Sequence, residues 1–292
     1  MIQIKEKRKN YPSWLKTKIP AVGPINGVKE ILRKHDLHTV CEEALCPNIG
    51  ECFGRKTATF MILGDICTRN CPFCAVGKGI PEPPDPNEPE KLAKAITELN
   101  LKHAVITSVD RDDLPDQGSS HFVEVIKSIR KKSPNTIIEV LTPDFQGHND
   151  AIDSVVDANP NVFNHNIESV KRLHKFMKPK SDYRRSLELL KRVKTRNPEI
   201  FTKSGLIVGV GETVKEVYET MIDLREVNCD IITLGQYIKP PGNILEVKEY
   251  VHPNQFKEYS LKAKELGFKF VASGPLVRSS YNASEVGNHL SF

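Results

Sequence analysis

The run TFMILGDICTRNCPFC, residues 59–74, decides how the rest of the chain is read. Residues 59–63 are β-prone and mostly apolar, Gly64-Asp65 is a turn pair, and Cys67, Cys71 and Cys74 follow at once. The same strand signal recurs at 104–108, 137–141, 162–164, 204–208, 231–236 and 270–272. Between these runs, 89–100, 119–132, 149–158, 182–197, 213–228 and 253–266 carry apolar residues at helical spacing, several behind a proline or a capping residue. Alternation of this kind predicts an α/β fold with parallel strands and helices outside, as an open doubly wound sheet or a full or partial barrel. In either, chemistry gathers beyond the C-terminal ends of the strands, which is where the three cysteines fall.

Three thiolates on so short a loop suit three corners of a cubane iron–sulfur cluster and leave its fourth iron without a protein ligand. Structural zinc is the alternative, but it wants four ligands, and no Cys or His lies between Cys74 and His103. A second trio, Cys41, Cys46 and Cys52, precedes the first strand in an irregular segment and implies a second metal centre. For its fourth ligand the residues leave open His38, the distant Cys229 or a group from the C-terminal tail, and a zinc knuckle closed by His38 competes with a cluster. Cys229, between two apolar stretches, reads as a core thiol.

The 292 residues are 39 % hydrophobic and 27 % charged, which excludes a membrane protein and a disordered chain. No apolar run approaches the roughly 18 residues of a membrane span. Lys5, Lys7, Arg8 and Lys9 are followed by no apolar signal core, so a cytoplasmic protein is expected, where thiols stay reduced and clustered cysteines bind metal. Residues 171–203 hold twelve Lys and Arg against three carboxylates, an excess of +9 that outweighs the chain's net charge of +5 and leaves the rest of the sequence net negative. A helix there, with Arg184, Arg185, Lys191 and Arg192 outside its apolar face, is expected to dock an acidic partner. The basic run has little aromatic interleaving, which argues against nucleic acid.

The spacing of Cys67, Cys71 and Cys74, with Phe73 before the last, resembles the signature of radical S-adenosylmethionine (SAM) enzymes. GLIVGVGE, residues 205–212, resembles the glycine-rich segment that lies along the adenosine of SAM in that superfamily. Four longer phrases, CEEALCPNIGEC (41–52), TSVDRDDL (107–114), FNHNIE (163–168) and SGPLVRSSY (273–281), are similar to those of the lipoyl synthase family. The resemblance implies a partial (β/α)6 TIM-like barrel at 57–275, an N-terminal extension at 1–56 whose cysteine trio holds an auxiliary [4Fe-4S] cluster, and a tail at 276–292 that supplies Ser280 as its fourth ligand. It implies a second [4Fe-4S] cluster on Cys67, Cys71 and Cys74, whose open iron chelates SAM. Phe73, Asn164, Asn166, Glu168, Gly209, Gly211 and Glu212 are the expected SAM contacts.

The implied activity is a sulfurtransferase reaction: radical SAM insertion of sulfur at C6 and C8 of a protein-bound N6-octanoyllysine, with the auxiliary cluster consumed as sulfur donor. An alkoxide ligand suits that role, since clusters prefer soft thiolate and the hard serine oxygen is the bond that breaks first. Implied partners are octanoylated carrier proteins or domains, an electron donor such as flavodoxin or ferredoxin, and an iron–sulfur carrier that rebuilds the cluster, with no nucleic acid and no membrane.

Overall fold

The computed structural model describes residues 11–16, 22–43, 46, 48–54, 58–240, 242 and 244–280. The basic residues Lys5, Lys7, Arg8 and Lys9 and the tail beyond Ser280 lie outside the described residues. In chain order, α1 (Val22–Lys34), β1 (His38–Thr39), α2 (Val40–Glu43) and α3 (Ile49–Gly54) precede β2 (Thr59–Ile62). Two short strands, β3 (Ile66–Cys67) and β4 (Gly77–Lys78), bracket the second cysteine loop. Then follow α4 (Glu88–Leu99), β5 (His103–Ser108), α5 (Ser119–Lys132), β6 (Ile137–Leu141), α6 (Asn149–Asp157), β7 (Val162–Asn164), α7 (Lys171–Met177) and α8 (Tyr183–Arg196). The chain continues through β8 (Phe201–Val208), α9 (Val214–Glu226), β9 (Ile231–Gln236), α10 (Pro253–Glu265) and β10 (Phe270–Gly274).

Local chemistry explains the helix starts. Pro89 sits in the first turn of α4, where its missing N–H costs nothing, and Thr213 and Glu216 form a reciprocal capping box on α9. Asn100 ends α4 in the left-handed region with φ 52°. Eight strands make one sheet in the order β1-β2-β5-β6-β7-β8-β9-β10. From β2 to β10 every pairing is parallel, so helices cover the outer face, and among the described residues β1 and β10 are left as edges. The result is a partial barrel of six βα units and a seventh strand.

Side chains alternate across each strand. Phe60, Ile62, Ala104, Ile106, Ile138, Val140 and Phe163 join the main core with the helices. On the opposite parity, Val162, Phe201, Ile231 and Phe270 pack together. Beside them lies a polar layer: Lys203 Nζ donates to Glu139 Oε1 at 2.8 Å, Asn164 Nδ2 donates to the same oxygen at 3.2 Å, and His103 Nε2 is 3.2 Å from Glu139 Oε2. Lys203 and Glu139 are 1 % and 0 % exposed, so only their mutual pairing makes the burial tolerable. Burial alone would raise the Glu139 pKa, yet Lys203 and His103 hold it at about 2.

The segment before β2 is more regular than its sequence suggests. β1 pairs antiparallel with β2, His38 opposite Met61 and Thr39 opposite Phe60, and the chain then turns into α2, which carries Cys41. Cys52 lies on α3. The amphipathic run near Val28 forms α1, whose Val28 and Leu32 are buried. Cys229 is fully buried, as expected of a core thiol.

Candidate active site

Beyond the C-terminal ends of the strands opens a cavity of about 520 Å³. Its wall includes Cys67, Cys71 and Cys74 from the loop after β2, Thr107 to Asp110 after β5, Thr142 to Asp144 after β6, and Asn166 and Glu168 after β7. From the other end of the sequence come Val277, Arg278, Ser279 and Ser280, and from the N-terminal segment Cys41 and Cys46. A small adjoining recess is lined by Cys41, Cys46, Cys52, Asn48, Arg278 and Ser280. All six clustered cysteines are free thiols.

The second cysteine loop is held from both sides. β3 pairs with β4, Gly79 N donates to the Cys67 carbonyl at 3.1 Å, and Cys74 N donates to the Cys71 carbonyl at 3.1 Å. Inside the loop, Arg69 is 5 % exposed and meets three carboxylates from two strand ends. Its Nε and Nη2 clasp Asp112 at 2.9–3.0 Å and 2.7 Å, Nη2 also reaches Asp144 at 2.8 Å, and Nη1 lies 3.2 Å from Asp110. Burial alone would raise the Asp144 pKa, but Arg69 holds it well below the usual carboxylate range. Sequence reasoning missed Arg69, Asp112 and Asp144, although Asp112 lies in a phrase it had singled out.

Burial pushes the cysteine thiols up, Cys41 and Cys67 to about 11 and Cys71 to about 12, with Asp110 adding to the last two. Burial also raises Cys46 and Cys74. The metal-free site therefore holds neutral thiols, and binding a metal there releases protons.

Opposite the cysteines, the loop after β7 is laid against β8. Glu168 N donates to the Gly205 carbonyl and Ile207 N to the Glu168 carbonyl, both at 2.9 Å, with Glu168 at φ 65°. A Cβ on Gly205 would lie 2.6 Å from Asn166 Oδ1, so the glycine makes room for that side chain. Asn166 Oδ1, Ser108 Oγ and Thr142 Oγ1 are buried, belong to cavity-lining residues and have no hydrogen-bond partner among the described residues, the condition of groups waiting for a polar ligand. Lys178 Nζ donates to the Asn166 carbonyl at 2.9 Å and lies 3.5 Å from His165 Nε2. His165 Nδ1 is 2.9 Å from the Thr142 carbonyl, which can only accept, so Nδ1 carries the proton. Burial and then the Lys178 charge push the His165 pKa down to about 3, which keeps the ring neutral.

The expected SAM contacts divide into two groups. Phe73, Asn166 and Glu168 line the cavity. Asn164, Gly209, Gly211 and Glu212 do not: Asn164 lies in the polar layer below, and the other three build the turn after β8. Gly209 and Gly211 have φ of 93° and 112°, and the Glu212 carboxylate accepts from the Gly209 and Val210 amides. From the glycine-rich segment, Gly205, Leu206 and Ile207 reach the cavity instead.

The basic segment is less available than its sequence implied. Arg192 pairs with Asp153 at 2.6 Å, Arg196 with Asp153 and Asp157 at 3.0 and 2.6 Å, and Arg185 with Asp144 at 3.1 Å, so α6 and the loop after β6 neutralise much of α8. Arg184 and Lys191 remain exposed. No helix among the described residues is long and apolar enough to cross a membrane.

Comparison with known proteins agrees with this architecture. The radical SAM superfamily profile matches residues 61–224, and that of the N-terminal domain of lipoyl synthase matches residues 1–46. Among solved structures, methylornithine synthase superposes with a TM-score of 0.58 at 11 % identity, over 88 % of this chain and 72 % of its own. Coproporphyrinogen III oxidase from Escherichia coli, a radical SAM enzyme, gives 0.54 at 14 % identity over 78 % and 57 %. At such identities the likeness speaks to the fold alone. Much nearer in sequence, lipoyl synthase from Caldanaerobacter subterraneus subsp. tengcongensis is 56 % identical over 93 % of this chain and 95 % of its own length. Lipoyl synthase from Dechloromonas aromatica is 54 % identical over 94 % and 88 %. With more than half of the aligned positions shared along nearly the full length of both chains, this sequence belongs to the lipoyl synthase family of the radical SAM superfamily.

Proposed function

We propose that the cavity carries out the family's reaction, insertion of sulfur at C6 and C8 of an octanoyl group amide-linked to a carrier lysine, with its two cysteine trios as separate cluster seats. Cys67, Cys71 and Cys74 would hold the [4Fe-4S] cluster that binds SAM, and Cys41, Cys46, Cys52 and Ser280 the auxiliary [4Fe-4S] cluster. When bound, the first supplies the electron that activates SAM and the second supplies the sulfur. The donor sets suit these groups: the three thiols of one short loop in one case, three thiols and one hydroxyl in the other. The observation that carries the reading is that five of the cysteines and Ser280 line one cavity, with Cys52 in the recess beside it.

The protein's own work is to bind, orient and exclude water. An unactivated alkyl C–H bond has no acidic proton, so no general base in this wall could open it. Asn166, with its orphan oxygen, and Glu168 and Phe73 would orient SAM, while Gly209, Gly211 and Glu212 shape the turn behind them and Asn164 the layer beneath. Met61, Leu141 and Ile207 offer an apolar wall for the acyl chain. Arg69 fixes the cysteine loop against the strand ends. The division into an extension at 1–56, a barrel at 57–275 and a tail at 276–292 belongs to the same reading. So do an electron donor such as flavodoxin or ferredoxin and an iron–sulfur carrier, because a reductive reaction that consumes a cluster needs both.

The test is anaerobic reconstitution with SAM, a reductant and an octanoyllysyl peptide, followed by mass spectrometry. Two sulfur atoms added per peptide are expected from the wild type, and a sharply reduced yield from Ser280→Cys, whose thiolate removes the weak corner. An undiminished yield from Ser280→Cys would refute the serine assignment.

A further inference from the structure

The N-terminal cysteine segment and the C-terminal tail meet beside β9, and two residues there have no assigned role. Gly235 is the penultimate residue of β9, and the tail crosses directly over it. A Cβ at Gly235 would lie 2.0 Å from the Val277 carbonyl oxygen and 3.3 Å from Arg278 Nη1. The first distance is far inside van der Waals contact and involves backbone, which cannot swing aside as a side chain can. Gly235 is not among the glycines with positive φ, so the position requires its missing side chain and not its conformational freedom. From the other side, Asn48 Nδ2 donates to the Leu276 carbonyl at 2.6 Å. Asn48 is 4 % exposed, stands between Cys46 and Cys52, and accepts the Cys52 amide on its own carbonyl at 2.9 Å. The Gln236 amide, 3.3 Å from the Pro275 carbonyl, adds a third tie.

We infer that Gly235 and Asn48 are positioning residues that seat the tail, so that Ser280 faces the first cysteine trio. Neither touches a reacting atom. The inference rests on the reading that Ser280 completes that site. A hydroxyl near the end of a chain becomes a useful ligand only when its segment is held close, which raises its effective concentration at the thiols. Asn48 ties the tail to the segment that bears Cys46 and Cys52, and the bare strand end at Gly235 gives the tail a bed.

The seat is tested on the metal-free full chain by hydrogen exchange with mass spectrometry. In Gly235→Ala and in Asn48→Asp, which replaces the amide donor by a carboxylate aimed at the Leu276 carbonyl, amides at 276–280 are expected to exchange about ten-fold faster or more, with β5 and β6 unchanged. Asn48→Asp lies outside the barrel, so it remains decisive if Gly235→Ala disturbs β9. Unchanged exchange at 276–280 in Asn48→Asp would overturn the inference. The iron-loaded chains then separate the seat from the serine reading by Mössbauer spectroscopy. A spectrum of Asn48→Asp that moves toward that of Ser280→Ala supports the seat. A spectrum of Ser280→Ala identical to wild type overturns the serine reading, and the seat's purpose with it, whatever the exchange data show.

Discussion

Arg69 is the residue on which the second cysteine loop turns. Its guanidinium is the shared counter-charge of Asp110, Asp112 and Asp144, and its planar fork is what permits the two-pronged grip on Asp112. Arg69→Ala would leave those carboxylates in a buried site without their shared cation, Arg185 alone remaining on Asp144, at a cost of about 3–5 kcal/mol. Denaturant unfolding of the metal-free chain is expected to show that loss, and Arg69→Lys to recover only part of it because an ammonium cannot fork. A loss within about 0.5 kcal/mol, the range of an ordinary surface change, would show that the clasp is not structural. The cysteine trios stood out in the sequence because cluster chemistry restricts residue type and spacing, whereas Ser280 was named only through the family resemblance. Arg69 was not, since a lone basic residue between cysteines acquires its meaning only when the loops after β5 and β6 bring carboxylates to it.

At the scale of elements, the periodicity located the seven parallel strands of the main sheet, set the starts of β5 and β8 too late, and gave no sign of the short parallel pair β3 and β4. β8 starts at Phe201, three residues before the expected 204, because Lys203 reads as a polar terminator but is buried against Glu139. Removing one partner should cost far more than removing both: about 3–5 kcal/mol for Glu139→Ala, and much less for the Glu139→Leu, Lys203→Met pair. Equal losses in single and double variants would deny the coupling. α7 was missed for a related reason, since KRLHKFM (171–177) looks like solvated charge, yet His174 and Met177 are buried. The neutral ring of His165, on the loop after β7, adds a pH dependence. Its pKa is about 3 folded against 6.5 for a free imidazole, because burial and Lys178 disfavour the cation while Asp144 opposes them more weakly. As pH falls below 6.5 the unfolded chain takes up a proton that the folded chain refuses, so stability is full above 6.5 and declines on acidification toward 3. Chemical denaturation between pH 6.5 and 4.5 should show this slope in the wild type and a flatter one in His165→Gln, and identical slopes would contradict it.

For the whole molecule, the alternation of strands and helices left open sheet and barrel undecided. The parallel order from β2 to β10 makes it a partial barrel, with the antiparallel edge strand β1 attaching the N-terminal cysteine segment alongside β2, whose first residue Thr59 and the preceding Ala58 line the recess with those cysteines. That attachment could not be read from the sequence, because β1 is two residues long and has no periodicity to detect. Nor could the partnership of α6 and α8, where Asp153 takes up Arg192, one of the residues expected to meet an acidic partner, and Asp153 and Asp157 hold Arg196. What the fold accomplishes is to bring five of the six clustered cysteines and a serine from the tail to one cavity, with Cys52 in the recess beside it. The central claim is therefore that the first trio's site gives up its own sulfide. The direct measurement is to load the chain with isotopically heavy sulfide, remove all free sulfide, run a single turnover with SAM, reductant and the octanoyllysyl peptide, and weigh the product. Both inserted sulfur atoms are expected to be heavy, and a product whose sulfur carries the natural mass of another source would contradict the claim.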